Sequence, residues 1–212
     1  LFLYYAFDKW MDRNAPNNPF ARYADDAVIH CRNKREAEEL LSKLEQRFRE
    51  CKLELHPDKT RIVYCKDSNR SGEYPVTKFD FLGYTFRPRL SRSKQGNFFV
   101  SFTPAASKSA GQHFRDQIRE IRINNRMASL EKLATLMNPV IQGWANYFSK
   151  FRASEARRVL NFVNLTLVIW IRRRLKTVRR ITGKAYRALA RIAKANPHLF
   201  HHWRMGIRPT IG

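Results

Sequence analysis

The sequence predicts an α+β fold in two parts: a mixed helix-and-strand part over about the first hundred residues, then an all-α, strongly basic part. Three observations predict it. Up to residue 103, short apolar runs of strand character surround one amphipathic helix. After Pro104 the apolar residues recur at helical spacing behind good N-caps. Charge divides at the same place, with 19 Lys and Arg against 14 Asp and Glu before Pro104, and 22 against 4 from there on.

Taking the elements in order, Leu1 to Met11 carries apolar side chains at 1, 4, 5, 7, 10 and 11. That spacing reads as the later half of a helix, with neither a starting Met nor an N-cap, so residues upstream are expected to be missing. Asn14 to Asn18 is a Pro/Asn-rich loop. Phe20-Ala-Arg-Tyr-Ala-Asp-Asp-Ala-Val-Ile-His-Cys31 reads as strand, tight turn, strand. Asn33 is an N-cap with Glu36 three residues on, a capping-box variant, and Ala37, Leu40, Leu41, Leu44 and Phe48 make one helical face to about Glu50, packed on a sheet. Leu53 and Leu55 alternate into Pro57, and Arg61 to Cys65 is β-like. Phe79 to Phe86 and Phe98 to Phe102 are expected as paired strands around a turn near Gln95-Gly-Asn97.

A boundary is expected at Thr103-Pro104. Beyond it the spacing predicts three helices, about Ser107 to Asn124, Ser129 to Phe151 with a bend at Pro139, and Ser154 to roughly Arg180. Trp144 falls at core spacing with Leu133, Met137, Ile141 and Phe148, so it is expected to pack rather than stack on a base. From Thr182 on the chain reads as a basic tail with a short helix around Ala185 to Ala195. His201-His202 beside Trp203 is expected to be packed or to contact phosphate.

Composition narrows the function. The 212 residues, 43% hydrophobic and 13% aromatic, suffice for a real core and exclude a disordered tail. The net charge is +23, and no acid follows Glu155. Clustered Lys and Arg gain affinity by releasing counterions from a phosphate backbone, so nucleic acid is the expected partner and an anionic membrane the alternative. No segment approaches the roughly 20 apolar residues of a membrane span, and the longest apolar run, Leu165 to Ile171, ends in Arg172-Arg-Arg174. No membrane partner is expected. Arg172, Arg173, Arg174, Lys176, Arg179 and Arg180 form the densest cationic run and are the candidate nucleic-acid-binding residues. Cys31, Cys51 and Cys65 are odd in number and lack a CxxC, which favours reduced thiols in a cytosol-like compartment over disulfides or zinc.

The chemistry lies in Asp25 and Asp26. Asp is a poor strand former, and neighbouring carboxylates repel unless something neutralises them. A divalent cation would do so, and hard oxygen ligands suit Mg²⁺, with Mn²⁺ the alternative. Paired acids of this kind point to phosphoryl transfer. The plain alternative is a polar hairpin turn.

Taken together, Tyr23-Ala-Asp-Asp26, Leu53-Glu-Leu-His-Pro-Asp-Lys-Thr60 and Phe79-Asp-Phe-Leu-Gly83 resemble three ordered motifs of reverse transcriptases, closest to those encoded by group II introns. Leu136-Met-Asn-Pro-Val-Ile-Gln-Gly-Trp-Ala-Asn-Tyr-Phe148 and His202-Trp-Arg-Met-Gly-Ile-Arg-Pro209 resemble the helical thumb, the maturase or X domain, of the same family. The resemblance implies that 1–103 is the C-terminal part of a polymerase palm, an antiparallel sheet with packing helices. It implies that 104–181 is the basic thumb bundle and 182–212 a basic C-terminal tail.

Carried over residue by residue, Asp25 and Asp26 are implied to be catalytic and to bind Mg²⁺. Tyr23 and Ala24 would lie at the primer terminus. Lys59 would lie near the nucleotide's phosphates, the plainer alternative being a lysine that caps the turn after Pro57. Phe81, Leu82 and Gly83 would hold the primer strand, with glycine allowing close backbone approach. The family's fingers and a third metal-binding Asp would precede Leu1, since Asp8 and Asp12 belong to the helix that follows that motif. No Cys/His-rich nuclease module is expected.

The function implied is part of a group II intron reverse transcriptase/maturase, a nucleotidyltransferase of a mobile element. It would polymerise DNA on RNA by two-metal phosphoryl transfer and bind intron RNA to assist splicing. The alternative is a non-catalytic, maturase-like splicing cofactor. Whether residues 1–212 alone are active is left open by the absent third acid; the completed protein would be an RNA-directed DNA polymerase. The implied partners are group II intron RNA, an RNA template with DNA primer, dNTP, and an N-terminal reverse transcriptase segment as a separate polypeptide. The implied location is the bacterial cytosol or nucleoid, or else an organellar matrix.

Overall fold

The computed structural model describes residues 1–70, 72–174 and 182–210. It mixes helices with small sheets, and the chain divides into two compact units, Leu1–Phe81 with Arg87–Phe102, and Leu82–Phe86 with Thr103–Gly212.

In the first unit a π-helical turn, Tyr4–Asp8, runs directly into α1, Lys9–Asn14. The strands β1, Phe20–Tyr23, and β2, Asp26–Ile29, form an antiparallel hairpin in which Phe20 faces Ile29 and Tyr23 faces Asp26. Helix α2, Lys34–Glu50, starts where Asn33 Oδ1 accepts the Glu36 N–H at 2.9 Å. The Glu36 carboxylate turns back to accept from the Arg32 N–H and from Asn18 Nδ2, tying the preceding loop to the helix start. Leu40 and Leu44, one turn apart, are buried with Phe7, Met11 and Ala15 and are flanked by Phe20, Ile29 and Phe48. The helix ends in a Schellman motif, with the Leu53 N–H on Phe48 O and the Lys52 N–H on Arg49 O. Lys52 takes the left-handed position there, at φ 56°.

Two strand expectations are corrected in this unit. Leu53 to Leu55 and Arg61 to Cys65 form no strand. Single bonds, such as Tyr64 N–H to Val76 O and Ser68 N–H to Val100 O, replace a ladder. Pro57 and Pro75 flank the stretch and lack the donor a ladder needs. The expected strand from Phe79 to Phe86 is itself a hairpin, β3, Phe79–Phe81, turning at Leu82-Gly83 into β4, Tyr84–Arg92. After a turn at 93–97, β5 runs from Phe98 to Ala106, in the sheet order β3-β4-β5.

In the second unit, α3, Lys108–Asn124, is capped by Ser107, and α4, Leu130–Phe148, by Ser129; each hydroxyl accepts the N–H three residues on. Pro139 sits inside α4. The expected third helix is two, α5, Ala153–Leu160, and α6, Phe162–Arg174, separated at Asn161. Asn161 Oδ1 takes a hydrogen bond from Asn164 Nδ2, the kind of side-chain pairing by which Asn competes with a continuous helix. Lys176, Arg179 and Arg180 lie outside the described residues.

Helix α7, Thr182–Ala195, and the short α8, His201–Arg204, complete this unit. Its core gathers Phe114, Ile118, Leu133, Met137, Ile141, Trp144, Leu160, Leu167 and Ile171, and Trp144 is buried as expected. Residues expected to belong to a basic tail are packed into that core: Ala185, Leu189, Phe200 and Trp203 are fully buried.

Candidate functional site

The acidic pair sits at the tip of the β1–β2 hairpin. Tyr23 and Asp26 close the ladder, leaving Ala24-Asp25 as a two-residue turn in which Ala24 takes φ 54°. Asp25 and Asp26 are both exposed, and among the described residues neither carboxylate makes an ion pair or hydrogen bond. Tyr23 is 65% exposed beside them. The turn is nevertheless held from below. Arg22 Nε and Nη2 donate to the two carboxylate oxygens of Asp8 at 2.6 Å each, and its Nη1 donates to Ala24 O at 2.6 Å. One guanidinium thus fastens the turn to the end of the π-helical segment. Hydrogen bonding from Arg22 holds the Asp8 carboxyl below the usual carboxylate range, against the opposing pull of burial.

Two neighbouring hard-oxygen ligands on a fixed, unpaired turn fit the one or two protein carboxylates that a magnesium ion commonly takes. Among the described residues no third His, Cys, Asp or Glu joins them in a ligand group. Lys59 lies in the turn after Pro57, where the Lys59 and Thr60 N–H groups point to His56 O. It is exposed, and no hydrogen bond or ion pair among the described residues links it to the acidic turn.

Leu82-Gly83 belongs to the second unit and is tightly fastened there. Both residues have positive φ, 50° and 77°, the signature of a type I′ hairpin turn. Tyr147 Oη donates to Leu82 O at 3.0 Å, the Ser107 N–H donates to Gly83 O at 2.9 Å, and Tyr84 Oη donates back to Tyr147 O. A Cβ on Gly83 would stand 3.1 Å from the Phe148 ring. Burial raises the Tyr84 hydroxyl's pKa.

At the end of α6, Arg172 is half-buried while Arg173 and Arg174 are exposed. Arg174 lies over the Trp170 ring at 5.4 Å and donates to Met127 O at 3.2 Å.

Sequence reasoning missed Arg22, Asn138 and Asn164. Nothing in sequence spacing marks Asp8 and Arg22 as partners. For the two asparagines a signal existed, a polar residue on an otherwise apolar helix face. Asn138 Nδ2 donates to Leu199 O and its Oδ1 accepts from the His201 N–H. Asn164, fully buried, accepts from His202 Nε2 and Trp203 Nε1 and donates to Ile207 O. Burial pushes the His202 pKa down to about 3, so its ring is neutral with the proton on Nε2.

Residues 1–86 match the family model for reverse transcriptase (RNA-dependent DNA polymerase). Residues 111–192 match that for the group II intron, maturase-specific domain. No curated protein matches the chain.

Proposed function

Because the chain belongs to the reverse transcriptase/maturase family encoded by group II introns, we propose that Asp25 and Asp26 are the catalytic carboxylates of an RNA-directed DNA polymerase and that the basic helical part binds RNA. In this reading 1–103 is palm, 104–181 is thumb, and the segment from 182 on, read in sequence as a basic tail, packs with the thumb helices. The observation that carries it is the pair of unpartnered carboxylates on a turn locked by Arg22, inside the segment matched to the polymerase family.

Bound Mg²⁺, or Mn²⁺, would neutralise phosphate charge and activate the attacking oxygen. The chain's own residues do the rest. Asp25 and Asp26 would hold the cation, and Arg22 fastens the turn that carries them. Tyr23 offers an exposed ring beside the acids for the primer's terminal nucleotide. Lys59 would meet the phosphates of the incoming dNTP, and the Leu82-Gly83 backbone would meet the primer strand, as the family resemblance implies. Arg172, Arg173 and Arg174 hold template or intron RNA by its phosphates.

The test is Asp25→Ala with Asp26→Ala in the completed protein. Primer extension on an RNA template is abolished, while filter binding of RNA on the same preparation is nearly unchanged. Retained extension overturns the assignment.

One observation favours a second reading. Among the described residues no third acid joins Asp25 and Asp26, and a two-metal site commonly takes more, so the alternative is that residues 1–212 alone bind RNA as a splicing cofactor does, without extending a primer. In that case, supplying a further acid on an added N-terminal segment, fused or separate, brings Mg²⁺-dependent extension. Robust synthesis by residues 1–212 alone would show that other acids do the chemistry.

A further inference from the structure

Beneath the exposed arginines of α6 lies a cavity of about 180 Å³ lined by Arg122, Arg126, Met127, Trp170, Arg173 and Arg174. Arg122, on α3, is 91% buried, since only 9% of its surface is exposed. Its Nε and Nη1 have no hydrogen-bond partner among the described residues, and neither has the indole N–H of Trp170. Among the described residues, no acid lines the cavity. A buried guanidinium with orphaned donors is costly, and three further arginines on the same wall make it more so. Its proton affinity falls through burial first and then through repulsion from Arg173, Arg119 and Arg126.

Arginine forks that converge without a carboxylate are matched by a planar or tetrahedral anion, which accepts several N–H bonds at once. The pocket opens to solvent on one side, and its space is enough for one phosphate with some of its hydration. Met127 and the Trp170 ring, with Arg174 over it, supply an apolar wall that lowers the local dielectric and strengthens a charged contact.

We propose that this cavity is a built binding site for one backbone phosphate of RNA, with Arg122 as its floor and Arg126 and Arg173 as its rim. The proposal rests on the RNA-binding reading for the identity of the phosphate carrier. It adds that one nucleotide is gripped in a fixed place rather than attracted to a diffuse basic face. Arg122 then resembles a preformed ligand site in energy as well as shape: the free protein carries the strain of unpaired donors, and binding relieves it.

The experiment uses the full chain and Arg122→Gln. In the free protein at low salt without phosphate, the variant melts at or above the wild-type temperature, because an unpaired buried charge is gone. Its affinity for a structured RNA falls roughly ten- to hundred-fold, the range of charged hydrogen bonds. The slope of log K against log salt shrinks by about one, as for one lost phosphate contact. Inorganic phosphate, added at constant ionic strength against chloride, raises the melting temperature of wild type and not of the variant.

Should the Gln variant fail to fold, Arg126→Gln with Arg173→Gln, both at exposed positions, gives the same loss of affinity with an unchanged melt. A lower melting temperature with unchanged RNA affinity and slope overturns the site and makes Arg122 a structural residue. RNA bound normally by the variants but anionic vesicles released by them overturns the assignment to RNA. Wild-type protein that binds no RNA overturns the functional reading and the phosphate carrier together, while the inorganic-phosphate arm still reports on the cavity itself.

Discussion

At the scale of single residues, His202 has the sharpest physical signature. Unfolded, it takes a proton near pH 6.5; folded, only near pH 3. Between those values the unfolded state binds one proton more, so stability rises with pH there and is lost as the pH falls. The loss is about 1.4 kcal/mol per pH unit. His202→Gln can keep the donation to Asn164 while removing the titration. Urea melts at pH 6.5 and pH 4.5 should therefore show the wild type losing about 2 to 3 kcal/mol more than the variant. Asn164→Leu tests the other end of the same contact. It strands the donors of His202 and Trp203 and the carbonyl of Ile207, so a loss of roughly 3 kcal/mol or more is expected in a thermal or urea melt.

At the scale of elements, the Leu82-Gly83 turn couples conformation to packing. Leucine in a left-handed conformation costs about 1 to 2 kcal/mol, and Asn-Gly is the favoured pair for this turn. Leu82→Asn should therefore stabilise the protein by about 1 kcal/mol. Gly83→Ala should destabilise it by roughly 1 to 3 kcal/mol, from its φ of 77° and the Phe148 ring. If the stabilised Leu82→Asn protein extends primers more slowly, the leucine is kept for function.

Elements defined by their own sequence were legible. Asn33, Ser107 and Ser129 announce helices because the capping partner is three residues away. The acidic hairpin was legible for the same reason. Leu53 to Cys65 was not, because alternation says nothing about whether a partner strand exists. The break at Asn161 and the Arg22–Asp8 clasp depend on side chains meeting in three dimensions, and no local pattern carries that.

At the scale of the whole molecule, charge and core are arranged for different tasks. From Pro104 on, 22 Lys and Arg stand against 4 acids, so most polyanion affinity is expected there. Arg172→Gln, Arg173→Gln and Arg174→Gln together should weaken RNA binding and flatten its salt dependence by about one to two units of slope. The shift is less than three because consecutive helical residues do not all face one partner. An unchanged slope would make the run a solvated face. Trp144→Ala acts on the other task, removing a buried ring packed on Phe114 and Phe148 at a cost of roughly 3 to 5 kcal/mol in a thermal melt.

The fastening of the 82–84 turn to Tyr147 also bears on how such a protein can be cut and rejoined. Leu82–Phe86 belongs to the second unit, yet it is preceded and followed in the chain by residues of the first. The polypeptide therefore passes between units at three points rather than one. A single break at residue 103, by gene fission or a protease, would part Tyr84 and Leu82 from the backbone and hydroxyl of Tyr147 that hold them. The matched polymerase and maturase segments, residues 1–86 and 111–192, follow one another in sequence without being interchangeable cassettes. An exchange of helical parts between two members of the family would have to carry these five hairpin residues with it.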